Sequence, residues 1–380
     1  MSPPSVAFPG LIPSLSDGVV TLRVPRPEDS DAIVEYSSDP EISRWMTLPQ
    51  PYTRADAETR RMLAETGWAT GELYQFAIET EGQLAGGVNL RPLGDGLAEI
   101  GYALAASHRG RGVMTRALRL ILGWGFDAAG IEVVHWKAQV GNWASRRAAW
   151  AVGFQVLDAV VPGLLEYQGH SVDGWLATLR RGDRLQPPHP WYDPEPVIGK
   201  AAVLRPHREQ DLPRMVEACR DPQAQRWLKG LPDDYTLTHA REHLHQLRTE
   251  QASGKAVYWV VADPGDDRLL AEVAIFIHPP QDRQGEVGYW AHPDARGRGV
   301  TTEGVRLAVR HALLPTEDGG LGLPRVLLRA AEGNLASLRV AEKAGFTRTG
   351  RDRAANLLRD GSRGDHLRFD LLADELPSVR

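Results

Sequence analysis

A chain of 380 residues, 42% hydrophobic and 24% charged, has the composition of a globular protein and length enough for about two or three domains. Forty-four Lys and Arg against 49 Asp and Glu leave a net charge of −5, so a dedicated binder of nucleic acid or anionic membrane is not expected. One cysteine, Cys219, makes neither an internal disulfide nor a Cys-based zinc site, and no apolar run nears the ~18 residues of a membrane span.

In chain order, residues 1–13 read as a Pro- and Ser-rich tail without a signal-peptide pattern, and a cytoplasmic location is expected. A strand at 19–24 leads into a polar helical region. Strands follow at 74–79 and 84–90, divided by the turn signal Glu81-Gly82, and at 99–104. After Arg109-Gly110-Arg111-Gly112, the residues Leu118, Ile121, Leu122 and Gly125 recur at helical spacing. Residues 133–140 form another strand, and Asn142 reads as the N-cap of a helix that ends at Gly153.

The same succession then returns. Strands are expected at 202–204, 257–262, 270–277, 286–290 and 325–330. Val305, Ala308, Val309 and Ala312 carry the helical period after Arg296-Gly297-Arg298-Gly299, and Asn334 and Gly345 bound the last helix. Glu99-Ile-Gly-Tyr102 and Glu286-Val-Gly-Tyr289 are 187 residues apart, as are the two Arg-Gly-Arg-Gly runs. Asn142-x-x-Ser145 and Asn334-x-x-Ser337 are 192 apart, and Leu22-Arg23 and Leu204-Arg205 182. A period this long is a duplicated domain, not a solenoid unit. Between the copies lie Pro187, Pro188, Pro190, Pro194 and Pro196, a stretch unable to hold a helix or central strand. The expected organisation is a tail (1–13), a domain (14–182), a linker (183–198) and a second domain (199–380), each domain α+β with a mixed, mostly antiparallel sheet.

Alternate glycines in Arg-Gly-Arg-Gly permit a tight turn with unshielded N–H groups, and the following helix N-terminus favours an anion such as a pyrophosphate. The loop closes with neither the Gly-Lys-Ser/Thr of a P-loop nor the third glycine of a dinucleotide fold, since Thr115 and Thr302 stand there. A basic surface turn is the plainer alternative; recurrence in matched strand–loop–helix settings favours the anion.

With these motifs, the sequence resembles a tandem member of the GNAT acetyltransferase superfamily, of the RimJ/RimL type. The second half carries Glu286-Val-Gly-Tyr-Trp-Ala-His-Pro-Asp-Ala-Arg-Gly-Arg-Gly-Val-Thr-Thr-Glu303, Asn334-Leu-Ala-Ser337 and Glu342-Lys-Ala-Gly-Phe346, the first half shorter matches. The resemblance implies two GNAT-like domains, each with a splay in the sheet, packed as a pseudo-dimer, with acetyl-CoA or another acyl-CoA as co-substrate, no metal, and a peptide or small-molecule amine as acceptor. It places the pyrophosphate on Arg109, Gly110, Arg111, Gly112, Val113 and Met114, and on Arg296, Gly297, Arg298, Gly299, Val300 and Thr301. Asn142, Ser145, Asn334 and Ser337 would lie along the pantetheine arm, although Asn142 and Asn334 also serve simply as helix caps.

Moving an acyl group from a thioester to an amine requires a proton acceptor, an oxyanion donor and departure of the thiolate. Glu99 and Glu286 are the base candidates, against the alternative of salt-bridged strand residues, and backbone N–H groups near Leu104 and Ala291 the oxyanion donors. The Tyr that many relatives place seven residues after the motif Asn is Ala149 and Ala341 here, which brings Ser145 and Ser337 forward as acids. Trp45, Tyr52, Trp227 and Tyr235 are candidates for an acceptor wall, or else core. The second half keeps His292-Pro293 and Glu303 where the first has Ala105-Ala106 and Arg116, so the second is expected to be the working site, with the first binding CoA alone. Two rivals stand beside this reading: a non-catalytic acyl-CoA sensor, and a zinc hydrolase through His239, Glu242 and His243.

Overall fold

The computed structural model describes residues 12–376, apart from 158, 229, 279–281 and 360, so residues 1–11 of the expected tail lie outside it. It divides into two units, Met1–Pro188 and His189–Arg380. The division falls inside the proline-rich stretch. Within unit 1, the Arg119 guanidinium donates to the Leu185 carbonyl (3.1 Å). Within unit 2, Tyr192 N–H reaches the Gln251 carbonyl (3.0 Å) and the Trp259 indole N–H reaches that of Glu195 (3.2 Å). Each end of the expected linker is thus pinned to its own unit.

Unit 1 runs β1 (Leu15–Ser16), β2 (Val20–Arg23), α1 (Ser30–Ser37), α2 (Pro40–Ser43), α3 (Arg54–Thr70), β3 (Tyr74–Thr80), β4 (Gln83–Gly94) and β5 (Leu97–Leu104). It continues through α4 (Val113–Asp127), β6 (Val133–Gln139), α5 (Trp143–Trp150), β7 (Gln155–Val156), β8 (Val161–Tyr167) and β9 (His170–Arg180). Unit 2 repeats the plan as β10 (Val197–Ile198), β11 (Val203–Arg205), α6 (Leu212–Arg220), α7 (Pro222–Trp227), α8 (Leu237–Ala252), β12 (Ala256–Ala262), β13 (Leu269–Ile277) and β14 (Gln284–Ala291). It ends with α9 (Val300–Leu313), β15 (Arg325–Ala331), α10 (Leu335–Ala344), β16 (Thr347–Leu357) and β17 (Arg363–Leu372). Among the described residues the strand orders are β1-β2-β3-β4-β5-β6-β9-β7, with β8 on β9, and β10-β11-β12-β13-β14-β15-β17-β16. Each sheet is antiparallel except at one pair, β5–β6 or β14–β15. The α+β expectation holds in both copies.

Strand alternation separates two faces. Ala98, Ile100, Tyr102 and Leu104 pack with α4 in the main core of unit 1, where Val113, Ala117, Leu118, Ile121 and Leu122 form the buried stripe of the helix. Ala103 points the other way, into a second cluster with Ile33, Tyr36, Ile42, Tyr52 and Ala57. In unit 2, Val287, Tyr289 and Ala291 pack with α9, while Trp290 joins Met215, Cys219, Tyr235 and Leu244. The duplicated Leu-Arg pair marks a shared anchor: Arg23 grips Asp29 through two bonds (2.7 and 2.8 Å), and Arg205 grips Asp211 likewise (2.9 and 2.8 Å), all four side chains buried.

Candidate active site

The parallel pair is where each sheet opens. β5 pairs with β6 only over 97–100 and 133–136, although both strands continue. β14 pairs with β15 only over 284–286 and 325–327. Ala105 N–H bonds the Ala85 carbonyl and His292 N–H that of Leu270, both on the neighbouring antiparallel strand. By the two-residue alternation, Tyr102 and Leu104, and Tyr289 and Ala291, therefore turn their N–H and C=O groups into the opening. The Leu104 carbonyl accepts the Arg109 guanidinium (3.1 Å); a splay edged by such outward main-chain groups can take an extended amide-bearing chain as an added strand.

Above each splay lies the glycine loop. Gly110 and Gly112 have φ of +73° and +74°, Gly297 and Gly299 +76° and +78°, so the left-handed turns need glycine. Gly112 and Gly299 are the N-caps of α4 and α9 and supply no side-chain cap, and a Cβ on any of the four glycines would meet nothing within 4 Å. The helix ends therefore aim uncapped N–H groups into open space, a cradle that fits a diphosphate. Val113 and Val300 are buried and anchor the first turns, with Met114 and Thr301 beside them.

The loop arginines each stand beside a carboxylate of their own unit. Arg109 is bonded to Asp39 (2.5 Å) and Arg296 to Asp221 (2.6 Å). Arg111 pairs with Glu81 (2.8 Å), and Arg298 lies 3.6 Å from Asp263.

Asn142 and Asn334 are helix caps, their Oδ1 accepting the N–H of Ser145 (3.1 Å) and Ser337 (3.2 Å). Each serine also meets a tyrosine from across the splay. The Tyr102 hydroxyl donates to the Ser145 carbonyl (2.8 Å), Ser145 Oγ donates to Tyr102 (3.1 Å), and the Trp136 indole donates to Ser145 Oγ (3.1 Å). In unit 2 the Tyr289 hydroxyl lies 2.9 Å from Ser337 Oγ and 3.3 Å from its carbonyl, and Leu328 replaces the indole. Burial pushes the phenol of Tyr102 up and that of Tyr289 to about 12. Sequence reasoning missed these tyrosines as site residues, although the repeated Glu-x-Gly-Tyr held the signal. Ala149 and Ala341 are fully buried core residues.

Both base candidates are ion-paired at the closed end of the splay. Glu99 meets Lys137 (2.7 Å), and Glu286 takes a two-pronged bond from Arg329 (2.9 and 2.6 Å), with His278 at 3.6 Å. Trp45 and Trp227 are half-buried; a Cβ on Gly141 or Gly333 would stand 3.5 or 3.3 Å from their ring edges. They wall the turn that carries Asn142 or Asn334. Tyr52 and Tyr235 lie buried inside the helical clusters. Burial likewise pushes the Cys219 thiol up to about 12.

The zinc motif comes apart. His239 Nδ1 accepts the Thr236 N–H (3.0 Å) as part of the α8 cap, and His243 binds the buried Glu272 carboxylate (3.2 Å). Its two imidazoles serve different partners.

A family model for the acetyltransferase (GNAT) domain matches residues 20–155 and again 202–347, well over half of the chain. The chain belongs to the GNAT acetyltransferase family. It is 29% identical over 166 residues to the uncharacterized N-acetyltransferase p20 of Bacillus licheniformis, covering 42% of this chain and 92% of that one. It is 26% identical over 162 residues to the human alpha/beta-tubulin-N-acetyltransferase 9, covering 40% and 74%. Among solved structures, Mycobacterium smegmatis RimJ in complex with CoA-disulfide aligns with a TM-score of 0.44 at 22% identity, covering 50% of this chain and 93% of that one. This GNAT chain is therefore a tandem acetyltransferase, each copy holding its own splay and glycine cradle. No helix among its described residues is long and apolar enough to cross a membrane.

Proposed function

We propose that this tandem GNAT protein transfers an acetyl group from acetyl-CoA to a primary amine, of a peptide or protein N-terminus or of a small molecule, and that unit 2 is the working site. The observation that carries the transfer is the junction, in each unit, of a splayed sheet with an uncapped glycine-bounded helix end. The family fit supports acetyl-CoA as donor: its diphosphate would rest on the main chain of 109–114 or 296–301, and its pantetheine beside Tyr102 or Tyr289. When bound, it supplies the activated acyl group. The open-side N–H groups of Tyr289 and Ala291 then stand ready to polarise its carbonyl. Glu286, oriented by Arg329, offers a carboxylate on the acceptor face, the side of Trp290, where a water can carry the ammonium proton to it.

The two serines separate the units. The Ser145 hydrogen is used on Tyr102, whose own hydrogen is used on the Ser145 carbonyl, while the Trp136 indole donates to Ser145 Oγ. In unit 2 the Tyr289 hydroxyl donates to the Ser337 carbonyl, either hydroxyl can donate across the 2.9 Å contact with Ser337 Oγ, and Leu328 stands in place of the indole, so the Ser337 hydroxyl is the one able to turn its hydrogen to the departing sulfur. Unit 1 then serves as an acyl-CoA-binding copy. The test is CoA release from acetyl-CoA against a panel of amines and N-terminal peptides. Ser337→Ala is expected to lower kcat about tenfold or more with little change in acetyl-CoA KM, whereas Ser145→Ala leaves turnover near wild type. Equal losses in the two variants would assign the reaction to both units.

A further inference from the structure

We propose that Arg109 and Arg296, on the glycine loops, are positioning residues that tie each cradle to the acceptor wall of its own unit instead of gripping phosphate. The proposal rests on the acetyl-transfer reading above. The observation is one three-way junction built twice. Arg109 donates through Nε to the carbonyl of Leu104, at the mouth of the splay (3.1 Å), and through Nη2 to Asp39 (2.5 Å). Arg296 donates through Nη2 to Asp221 (2.6 Å), with the Ala291 carbonyl at 3.5 Å.

Both aspartates are helix caps. Asp39 Oδ1 accepts Glu41 N–H at the start of α2 (2.9 Å), and Asp221 Oδ2 accepts the N–H groups of Gln223 and Ala224 at the start of α7 (3.0 and 3.1 Å). Each short helix leads directly to its tryptophan: Trp227 is the last residue of α7, and Trp45 follows α2 by two residues, its indole bonded to Glu41 (2.9 Å). The chain of contacts thus runs from loop to guanidinium to cap to wall. An α-helix rises about 1.5 Å per residue, so α7 is a strut of about 9 Å with the arginine at one end and the indole at the other. The Arg296 hydrogen bond also holds the Asp221 carboxyl below its ordinary value. A guanidinium already paired to a carboxylate gains little by turning to a phosphate, because the carboxylate left behind would lose its partner. Filling the cradle shifts the loop, and the junction carries that shift to the indole, a coupling between co-substrate and acceptor sites.

The test uses full-length protein labelled with 5-fluorotryptophan. Trp227→Phe and Trp45→Phe assign their fluorine resonances among the 11 tryptophans. CoA is titrated by calorimetry and by fluorine NMR into wild type, Arg296→Ala and Asp221→Asn. Asparagine caps as well as aspartate, so Asp221→Asn keeps α7 and loses only the charged link. In wild type, CoA is expected to move both resonances. In either variant the Trp227 movement is lost while Trp45 still moves, and CoA affinity stays within about threefold of wild type. A loss of CoA affinity of about tenfold or more in Arg296→Ala with none in Asp221→Asn would mark a phosphate ligand and overturn the proposal. A Trp227 resonance that still moves in both variants overturns it too. Absence of CoA binding by wild type would overturn the acetyl-transfer reading itself, and calorimetry shows that separately.

Discussion

Gly299→Glu is expected to abolish CoA binding in unit 2 while leaving its fold intact, and Gly112→Glu to do the same in unit 1. Each glycine is the N-cap of its helix, with φ of +78° or +74°, and a side chain added there enters open space. A left-handed conformation costs a non-glycine residue roughly 1–2 kcal/mol. A carboxylate at the positive end of a helix returns roughly 0.3–1 kcal/mol, so the net penalty is small beside the stability of a domain. The same carboxylate sits where the diphosphate must lie and repels it while occupying the free N–H groups. Affinity at the altered unit should fall about a hundredfold or more, the equivalent of roughly 2.8 kcal/mol. Calorimetry should show two CoA sites per chain in wild type and one in either variant. Acetyl transfer should vanish with Gly299→Glu and survive Gly112→Glu. Two intact sites in both variants would remove the cradle from the mechanism.

The sheet order was readable to the extent that apolar alternation marked it. β3 to β6 and their copies have apolar, β-rich segments, and the repeat at 182 to 192 residues aligns the two sets. The hairpins β8–β9 and β16–β17 were not legible. Thr347-Arg-Thr-Gly-Arg-Asp-Arg353 carries no apolar period, because these residues are mostly exposed and held by cross-strand pairing with β17. The cradles were found from sequence because glycines with forced backbone geometry leave a local mark. What their arginines hold was not, since Asp39 and Asp221 lie 70 and 75 residues away and only folding brings them near. For the same reason the i, i+4 spacing of His239 and His243 suggested a metal, whereas the decisive partner of His243, Glu272, is on another element.

Glu272 is where the second large effect is expected. On β13, opposite Trp290, this buried carboxylate accepts bonds from His207 (2.8 Å), His243 (3.2 Å) and the Trp290 indole (3.0 Å). In unit 1 the position opposite Ala103 is Gly87, and Gln75 and the Tyr36 hydroxyl stand beside it, so the network belongs to unit 2 alone. Glu272→Ala removes the acceptor shared by two imidazoles and an indole and should cost about 3–5 kcal/mol, the usual price of breaking a buried pair. Burial opposes ionisation of both partners, but the pairing outweighs it: the Glu272 carboxyl is held far below 4.5, and the His243 imidazole, with help from Glu250, above 6.5. The signs follow from linkage. The depressed carboxyl gives stability that is full above about pH 4.5 and fades as pH falls towards its folded value. The raised imidazole gives stability that is full below about pH 6.5 and fades as pH rises through its folded value. Unit 2 should therefore be most stable between about pH 4.5 and 6.5, and the gap between wild type and Glu272→Gln, followed by denaturant unfolding of the full chain, should narrow from pH 6 to pH 8.5. A gap that stays constant from pH 6 to pH 8.5 would show that His243 is neutral in the folded protein, and that hydrogen bonding without charge holds this cluster together.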